Sequence, residues 1–153
     1  MPSIEQLNPR SQFREWGVET FIVESPAYLG KLLHMKPGTK GGLQYHVEKD
    51  EAFYLLSGEA IVRTNIDVNG HDTLLEIRMV QGQGFRIPPG AIHQVEAVTD
   101  CILIEWSTPV YDDRVHVESR YGLPEAGGLP TTRSGGLSIG DGPNRGEVRF
   151  YKG

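Results

Sequence analysis

Short β-rich segments separated by turn residues are the feature that most constrains how this chain can fold. From residue 18 to residue 106, runs rich in Val, Ile, Leu, Phe and Tyr alternate with Gly, Pro, Asn and Asp. With 19 Gly and 10 Pro among 153 residues, these turn residues recur too often for a long helix. Closely spaced short strands with turn signals predict an all-β sandwich or small barrel. Asn69-Gly70, between two such runs, predicts a tight hairpin.

The two ends of the chain differ from this central pattern. Residues 1–17 are polar and are interpreted as an N-terminal arm. A barrel over residues 18–107 continues into an extension, so the predicted domain covers residues 18–121. Residues 122–153 hold most of the remaining Gly and Pro and are interpreted as a loop and tail. Inside that tail, residues 146–152 alternate weakly, which is compatible with an edge strand or with a frayed end.

Charge and cysteine content narrow the class of protein. The formal net charge is -5 and no basic stripe is present, so a nucleic-acid partner is not expected. The single cysteine, Cys101, excludes an intrachain disulfide and favours a reducing compartment. The N-terminus lacks the apolar core of a signal peptide, and no run approaches the roughly 20 apolar residues that span a bilayer. We therefore expect a soluble, cytoplasmic protein without a membrane partner.

Residue types that bind metal ions occur in two places along the chain. Gln44 and His46 are two residues apart on a predicted strand, so their side chains point to the same face. Glu51 follows a short polar turn that brings it back beside His46 if a hairpin forms there. The fourth residue, His93, begins a strand after the turn Pro88-Pro89-Gly90. The remaining histidines, His34, His71 and His116, are interpreted as structural.

The spacing of these residues resembles the two motifs of the cupin superfamily. The first motif, G-x5-H-x-H-x3-4-E-x6-G, aligns with the segment from Gly38 to Gly58, and Gln44 stands where most cupins have His. The second, G-x5-P-x-G-x2-H-x3-N, aligns with the segment from Gly82 to Ala97, where Ala97 replaces Asn. The metal ligands that the resemblance implies are Gln44, His46, Glu51 and His93.

The stretch LQYHVEKDEAFYLLSGEA is similar to the type II phosphomannose isomerase cupins, which also carry Gln in place of the first His. The likeness extends over about residues 14–122, through Trp16-Gly17, RIPPGAIHQVEAV and DDRVHVESRYG. It departs from the family at Ala52-Phe53, which replaces a His-Trp pair, and at Lys49, where Arg is usual.

The resemblance implies a single-domain jelly-roll barrel that binds one divalent metal ion and acts on a small molecule, for which a carbohydrate is expected. Two imidazoles, an amide oxygen and a carboxylate suit Zn or Mn, and also Fe, Ni or Co. The implied activity is that of a metal-dependent sugar or sugar-phosphate isomerase or epimerase. A metal-dependent dioxygenase and a non-catalytic metal- and ligand-binding cupin remain as alternatives.

The alternation of inward- and outward-facing residues along the strands suggests further residues of the site. Lys31 shares the inward parity of Leu33, and Glu105 that of Leu103, which predicts Lys31 as a substrate contact and Glu105 as a catalytic base. The alternative is that Lys31 and Glu105 pair with each other or are solvated. Lys49 and Arg86 are further candidates for contacting an anion. Because antiparallel barrels leave edge strands, we also expect a homodimer, with contacts from the aromatic residues of the arms, Phe13, Trp16, Phe150 and Tyr151.

Overall fold

The computed structural model describes residues 1–125 and two short strands beyond them, β12 (Arg133–Ser134) and β13 (Leu137–Ser138), which pair with each other. Strands are numbered in chain order. The first of two larger sheets contains six strands: β1 (Arg10–Arg14), β2 (Gly17–Glu24), β3 (Leu29–Met35), β5 (Glu51–Ser57), β8 (Gly84–Ile87) and β10 (Cys101–Ser107). Their spatial order is β1-β2-β3-β10-β5-β8.

The second sheet contains five strands: β4 (Gln44–His46), β6 (Glu59–Val68), β7 (His71–Val80), β9 (His93–Ala97) and β11 (Arg114–His116). Their order is β11-β4-β9-β6-β7, and the paired strands of both sheets are antiparallel. A short 3₁₀ helix, Glu118–Tyr121, follows β11. The predicted all-β, jelly-roll class is confirmed.

Alternating side chains of the two sheets meet in one apolar core. Its buried members are Met35, Phe53, Leu55, Ala60, Val62, Met79, Ile87, Ala97, Cys101 and Leu103. The thiol of Cys101 lies 3.0 Å from the carbonyl oxygen of Glu59, so this cysteine packs as a small core residue. Every second residue of a strand faces this core, so a polar residue two positions from a core residue also points into the interior.

The predicted hairpin joins β6 and β7 at Asn69-Gly70. Both residues have positive φ angles, 54° and 81°, as a two-residue turn whose twist matches that of its strands requires. The strands pair in register from Glu59↔Val80 to Val68↔His71, so β7 forms an edge of the second sheet.

Segments before and after the central run of strands also contribute strands to the two sheets. The segment interpreted as an arm contains β1, which pairs with β2 along its whole length and adds an edge strand to the first sheet. At the other end, the extension after β10 returns to the second sheet as β11. The edge strand suggested for residues 146–152 lies outside the described residues. In the described part of the chain, no helix has the length and apolar character needed to cross a membrane.

Candidate metal centre and its cavity

A cavity of about 140 Å³ opens between the two sheets. One wall carries Gln44, His46 and His93 from β4 and β9, and the facing wall carries Lys31, Glu51 and Glu105 from β3, β5 and β10. Apolar side chains of Trp16, Leu33, Met35, Phe53 and Leu103 complete the lining next to the core. The cavity therefore combines a small polar interior with apolar walls, which is the usual composition of a small-molecule site.

Two histidines and a glutamate converge at one end of this cavity. The Nε2 atom of His93 lies 2.9 Å from Oε1 of Glu51, and Nε2 of His46 lies 3.5 Å from the same oxygen. One ligand atom from each of the three residues lies within 4.8 Å of the others, and all three residues are buried. This cluster could hold a divalent metal ion.

The hydrogen bonds of the two imidazoles orient them toward that point. Nδ1 of His46 lies 3.0 Å from Oδ1 of Asp113, and Nδ1 of His93 lies 3.0 Å from the carbonyl oxygen of Ala91. Both partners accept hydrogen bonds, so each Nδ1 donates a proton to its partner and Nε2 is the nitrogen of each ring that faces Glu51. With Nδ1 engaged on both rings, the two Nε2 atoms and Oε1 of Glu51 are the atoms that would ligate a metal ion bound between them.

Gln44 occupies the position beside these ligands that strand parity indicates. It precedes His46 by two residues on β4, stands opposite His93 in the register with β9, and lines the same cavity. Its side chain is half-buried. The structure thus places Gln44 in the lining of the cavity that contains the cluster of His46, Glu51 and His93.

Lys49 holds the second oxygen of the Glu51 carboxylate. Its Nζ lies 2.9 Å from Oε2 of Glu51, which leaves Oε1 for the two histidines. Burial alone would raise the pKa of Glu51, but Lys49 and His46 outweigh it and hold that pKa well below its ordinary value. Burial alone would lower the pKa of Lys49, but Glu105 and Glu51 outweigh it and raise that pKa. Glu51 is therefore a carboxylate, and Lys49 an ammonium group, at neutral pH.

Glu105 and Lys31 lie in the same cavity and contact each other. Oε2 of Glu105 is 3.3 Å from Nζ of Lys31 and 3.4 Å from Nζ of Lys49. Lys31 also lies 3.3 Å from Oε2 of Glu19, a buried residue of β2. Side chains of opposite charge therefore alternate in space, in the order Glu19, Lys31, Glu105, Lys49 and Glu51. The pairing of Lys31 with Glu105 that the sequence left open is present, and strand parity placed both residues correctly inside the cavity.

The sequence did not predict that several further residues line the cavity. Arg14, Trp16, Glu19 and Arg114 line the cavity, although none belongs to either motif. Inward parity with Phe21 on β2 was a usable signal for Glu19, since both are buried. Asp113 and Arg114 belong to the run DDRVHVESRYG that carries part of the family resemblance, but no local pattern placed them at the cavity, because both reach it through the return of the chain at β11.

Arg86, a candidate for contacting an anion, and the histidines interpreted as structural do not belong to the cluster of His46, Glu51 and His93. Arg86 is exposed and bonds to Asp50 on the outside of the molecule, with the two side chains 2.6 Å apart, so it does not line the cavity. His34 contacts Asp100 at the surface, and His71 is exposed at the start of β7. His116 is directed to Glu118, with 3.2 Å between Nδ1 and the carboxylate.

Comparison with known proteins gives a family and a fold. Residues 31–106 match the family described as the cupin domain. Mannose-1-phosphate guanylyltransferase RfbM of Salmonella typhimurium is 32% identical over 116 residues, which cover 72% of this chain and 22% of the relative. A mannose-1-phosphate guanylyltransferase of Escherichia coli is 29% identical over 124 residues, covering 77% and 24%. The chain thus spans less than a quarter of the length of these curated relatives.

Solved structures with the same architecture are more distant in sequence. The capsular polysaccharide assembling protein CapF of Staphylococcus aureus matches with a TM-score of 0.61 and 23% identity, over 72% of this chain and 34% of that one. KdgF from Halomonas sp. matches with a TM-score of 0.55 and 21% identity, over 67% and 88%. At these identities the likeness establishes the fold alone.

Proposed function

The chain belongs to the cupin superfamily, and on that premise we propose that it is a metal-dependent isomerase or epimerase of a sugar or sugar phosphate, similar to mannose-6-phosphate isomerases. The observation that carries the proposal is the convergence of His46, Glu51 and His93 in a cavity that also contains Glu105 and Lys31. An isomerase of this type needs a metal site and a proton-transferring group within reach of one small substrate.

The donor set fits a divalent ion. His46 and His93 supply imidazole nitrogens, and Glu51 supplies Oε1. Gln44, two residues before His46 on the same strand, supplies a neutral amide oxygen. Such mixed nitrogen and oxygen donors suit Zn or Mn first, and also Fe, Ni or Co. The ion, when bound, supplies Lewis-acid polarisation of the substrate's carbonyl oxygen.

The other charged residues of the cavity provide the remaining functions. In aldose–ketose isomerisation, Glu105 takes the proton from C2 of the substrate and returns it to C1, while the proton of the C2 hydroxyl group passes to the C1 oxygen. Lys31 donates a hydrogen bond to a substrate oxygen and, with Lys49, holds the Glu105 carboxylate in place. Apolar side chains at the floor, among them Phe53 and Leu103, limit the water in contact with the reacting carbons.

The names of the curated relatives support a carbohydrate substrate. Both are mannose-1-phosphate guanylyltransferases. The segments that they share with this chain are long enough to include at least most of residues 31–106, which match the cupin domain. Mannose and its phosphates, with their C2 epimers and the corresponding ketoses, are therefore the first substrates to test.

The test is exchange of the substrate's C2 proton with solvent. Metal-free protein is prepared by chelation, reloaded separately with Zn and Mn, and incubated in deuterium oxide with aldoses and aldose phosphates. Proton NMR should show loss of the C2–H signal in metal-loaded samples and its retention in metal-free ones. Absence of exchange over the whole panel, by protein that has bound metal, contradicts the isomerase proposal.

The pairing of Lys31 with Glu105 favours a second candidate, a non-catalytic cupin that binds a metal ion and a small ligand. In that case both residues serve to hold the cavity together. Calorimetry would detect sugar binding to metal-loaded protein without any exchange at C2. Consumption of oxygen by Fe-loaded protein with catechols or diketones would instead indicate a dioxygenase.

A further inference from the structure

The strand that carries two of the proposed ligands is held mainly by a segment beyond the cupin match. β4 has only three residues and meets β9 at a single pair, Gln44↔His93. Its other side pairs with β11 along its whole length, as Arg114↔His46, Val115↔Tyr45 and His116↔Gln44. The match to the cupin domain ends at residue 106, so this support comes from chain outside it.

Asp113, immediately before β11, makes the most direct contact of this segment with the metal cluster. One carboxylate oxygen, Oδ1, lies 3.0 Å from Nδ1 of His46. The other, Oδ2, accepts hydrogen bonds from the backbone N–H groups of Glu48 and Lys49, at 2.7 and 2.8 Å. Its backbone carbonyl accepts a further one from the N–H of Val47, at 3.1 Å. Asp113 is 1% exposed, so water does not compete for these bonds.

These bonds act on two properties of the cluster at once. The first is the tautomer of His46, since an acceptor at Nδ1 places the ring proton there and leaves the Nε2 lone pair for the metal. The second is the conformation of residues 47–50, which connect His46 to Glu51 and so determine how far apart the two ligands lie.

We propose that Asp113 is a positioning residue of the metal centre, one that fixes both the tautomer of His46 and the turn that carries Glu51. The inference rests on the proposed metal binding, but not on any substrate or reaction. The metal centre is then built jointly by the cupin barrel and by residues 108–121.

The experiment measures metal affinity rather than activity. Full-length wild-type protein and Asp113→Asn are titrated with Zn in competition with a chromophoric chelator. Asn keeps the size of the side chain but cannot accept hydrogen bonds at both ends. We expect Zn to bind Asp113→Asn about 10- to 100-fold more weakly, as is typical for loss of a carboxylate partner of a ligating histidine.

Glu118→Gln is the matched control. Glu118 is a buried carboxylate of the same segment that accepts a hydrogen bond from the N–H of Leu43 at 3.0 Å and contacts His116. Its replacement should lower the free energy of unfolding and leave Zn affinity within about twofold. An equal loss of Zn affinity in both variants would mean that Asp113 acts only through general stability, which overturns the proposal.

A second measurement needs no variant and remains available if Asp113→Asn does not fold. In metal-free wild-type protein, ¹⁵N NMR at a pH where the ring is neutral should show the His46 proton on Nδ1. A proton on Nε2 overturns the proposal. Wild-type protein that binds no Zn instead contradicts the proposed function, whereas normal Zn binding by Asp113→Asn contradicts only this inference.

Discussion

Nζ of Lys31 lies 3.3 Å from Oε2 of Glu105, and the two residues stand directly opposite each other on adjacent strands β3 and β10. On its other side, the same oxygen lies 3.4 Å from Nζ of Lys49, which contacts the proposed ligand Glu51. Glu105 thus lies between two lysine side chains in the cavity lining. A substitution at this residue changes the cavity without removing a metal ligand, so it separates catalysis from metal binding.

Glu105→Gln is expected to keep the metal and slow C2 exchange by about 10²–10⁴-fold, since an amide cannot act as a general base. The measurement is the deuterium exchange rate at equal metal occupancy. Glu96→Gln is the control, because Glu96 bonds to Arg63 outside the cavity lining. Equal rates for Glu105→Gln and wild type would exclude Glu105 as the base.

His46→Ala and His93→Ala should each remove most of the bound divalent ion, because each substitution deletes an imidazole donor from a three-residue cluster. Elemental analysis after dialysis against a weak chelator measures the metal content per chain, for which we expect one ion in the wild type. His34→Ala, at an exposed histidine that contacts Asp100, should keep full occupancy. Full occupancy in the double variant of His46 and His93 would mean that the ion binds elsewhere.

Acid should weaken the contribution of Glu19 to stability. Burial alone would raise the pKa of this carboxyl group, but Lys31 and Arg14 outweigh it and lower the pKa from 4.5 to about 2. A pKa lowered on folding stabilises the folded state above the unfolded pKa, and this stabilisation is lost as the pH falls toward the folded value. From about pH 6 to about pH 3, the loss amounts to roughly 2 kcal/mol.

Urea unfolding of metal-free wild type and Glu19→Gln over this pH range measures that loss. The advantage of the wild type in free energy of unfolding should shrink as the pH falls, because Gln does not titrate. Metal-free protein is used so that release of an ion from the nearby cluster does not contribute. A difference between the two proteins that is constant with pH would contradict the assigned role of the Glu19 charge.

A homodimer remains our expectation, and the structure indicates which residue to change. β1 is an edge strand, and Phe13 on it is 87% exposed. Exposed edges with an apolar side chain are protected by pairing with another chain. Of the other aromatic residues suggested for contacts, Trp16 packs against the core and lines the cavity, and Phe150 and Tyr151 lie outside the described residues.

Light scattering at micromolar concentration should give the mass of two chains for the wild type and a shift toward one chain for Phe13→Ser. Tyr28→Ser changes another exposed aromatic residue, located in the turn between β2 and β3, and should leave the mass unchanged. A wild-type monomer would refute the dimer, and a Phe13→Ser dimer would place the interface elsewhere.

The amino-acid sequence alone is enough to predict the features that depend on the alternation of side chains along strands and on local turns. The Asn69-Gly70 hairpin, the all-β architecture and the inward parity of Gln44, His46, Lys31 and Glu105 each follow from a few neighbouring residues. The two motifs also brought Glu51 and His93 into one predicted set, although they lie 42 residues apart in sequence.

Which residues from distant parts of the chain reach the cavity depends on the tertiary structure. Asp113 lies 67 residues from His46 in sequence, and no periodicity connects them; the contact exists because β11 returns to pair with β4. The pairing of Glu105 with both Lys31 and Lys49 likewise depends on the order of strands in a sheet, β3-β10-β5, which local pattern does not specify. Contacts between distant segments depend on how strands are ordered and registered, and that order is a property of the whole packed core.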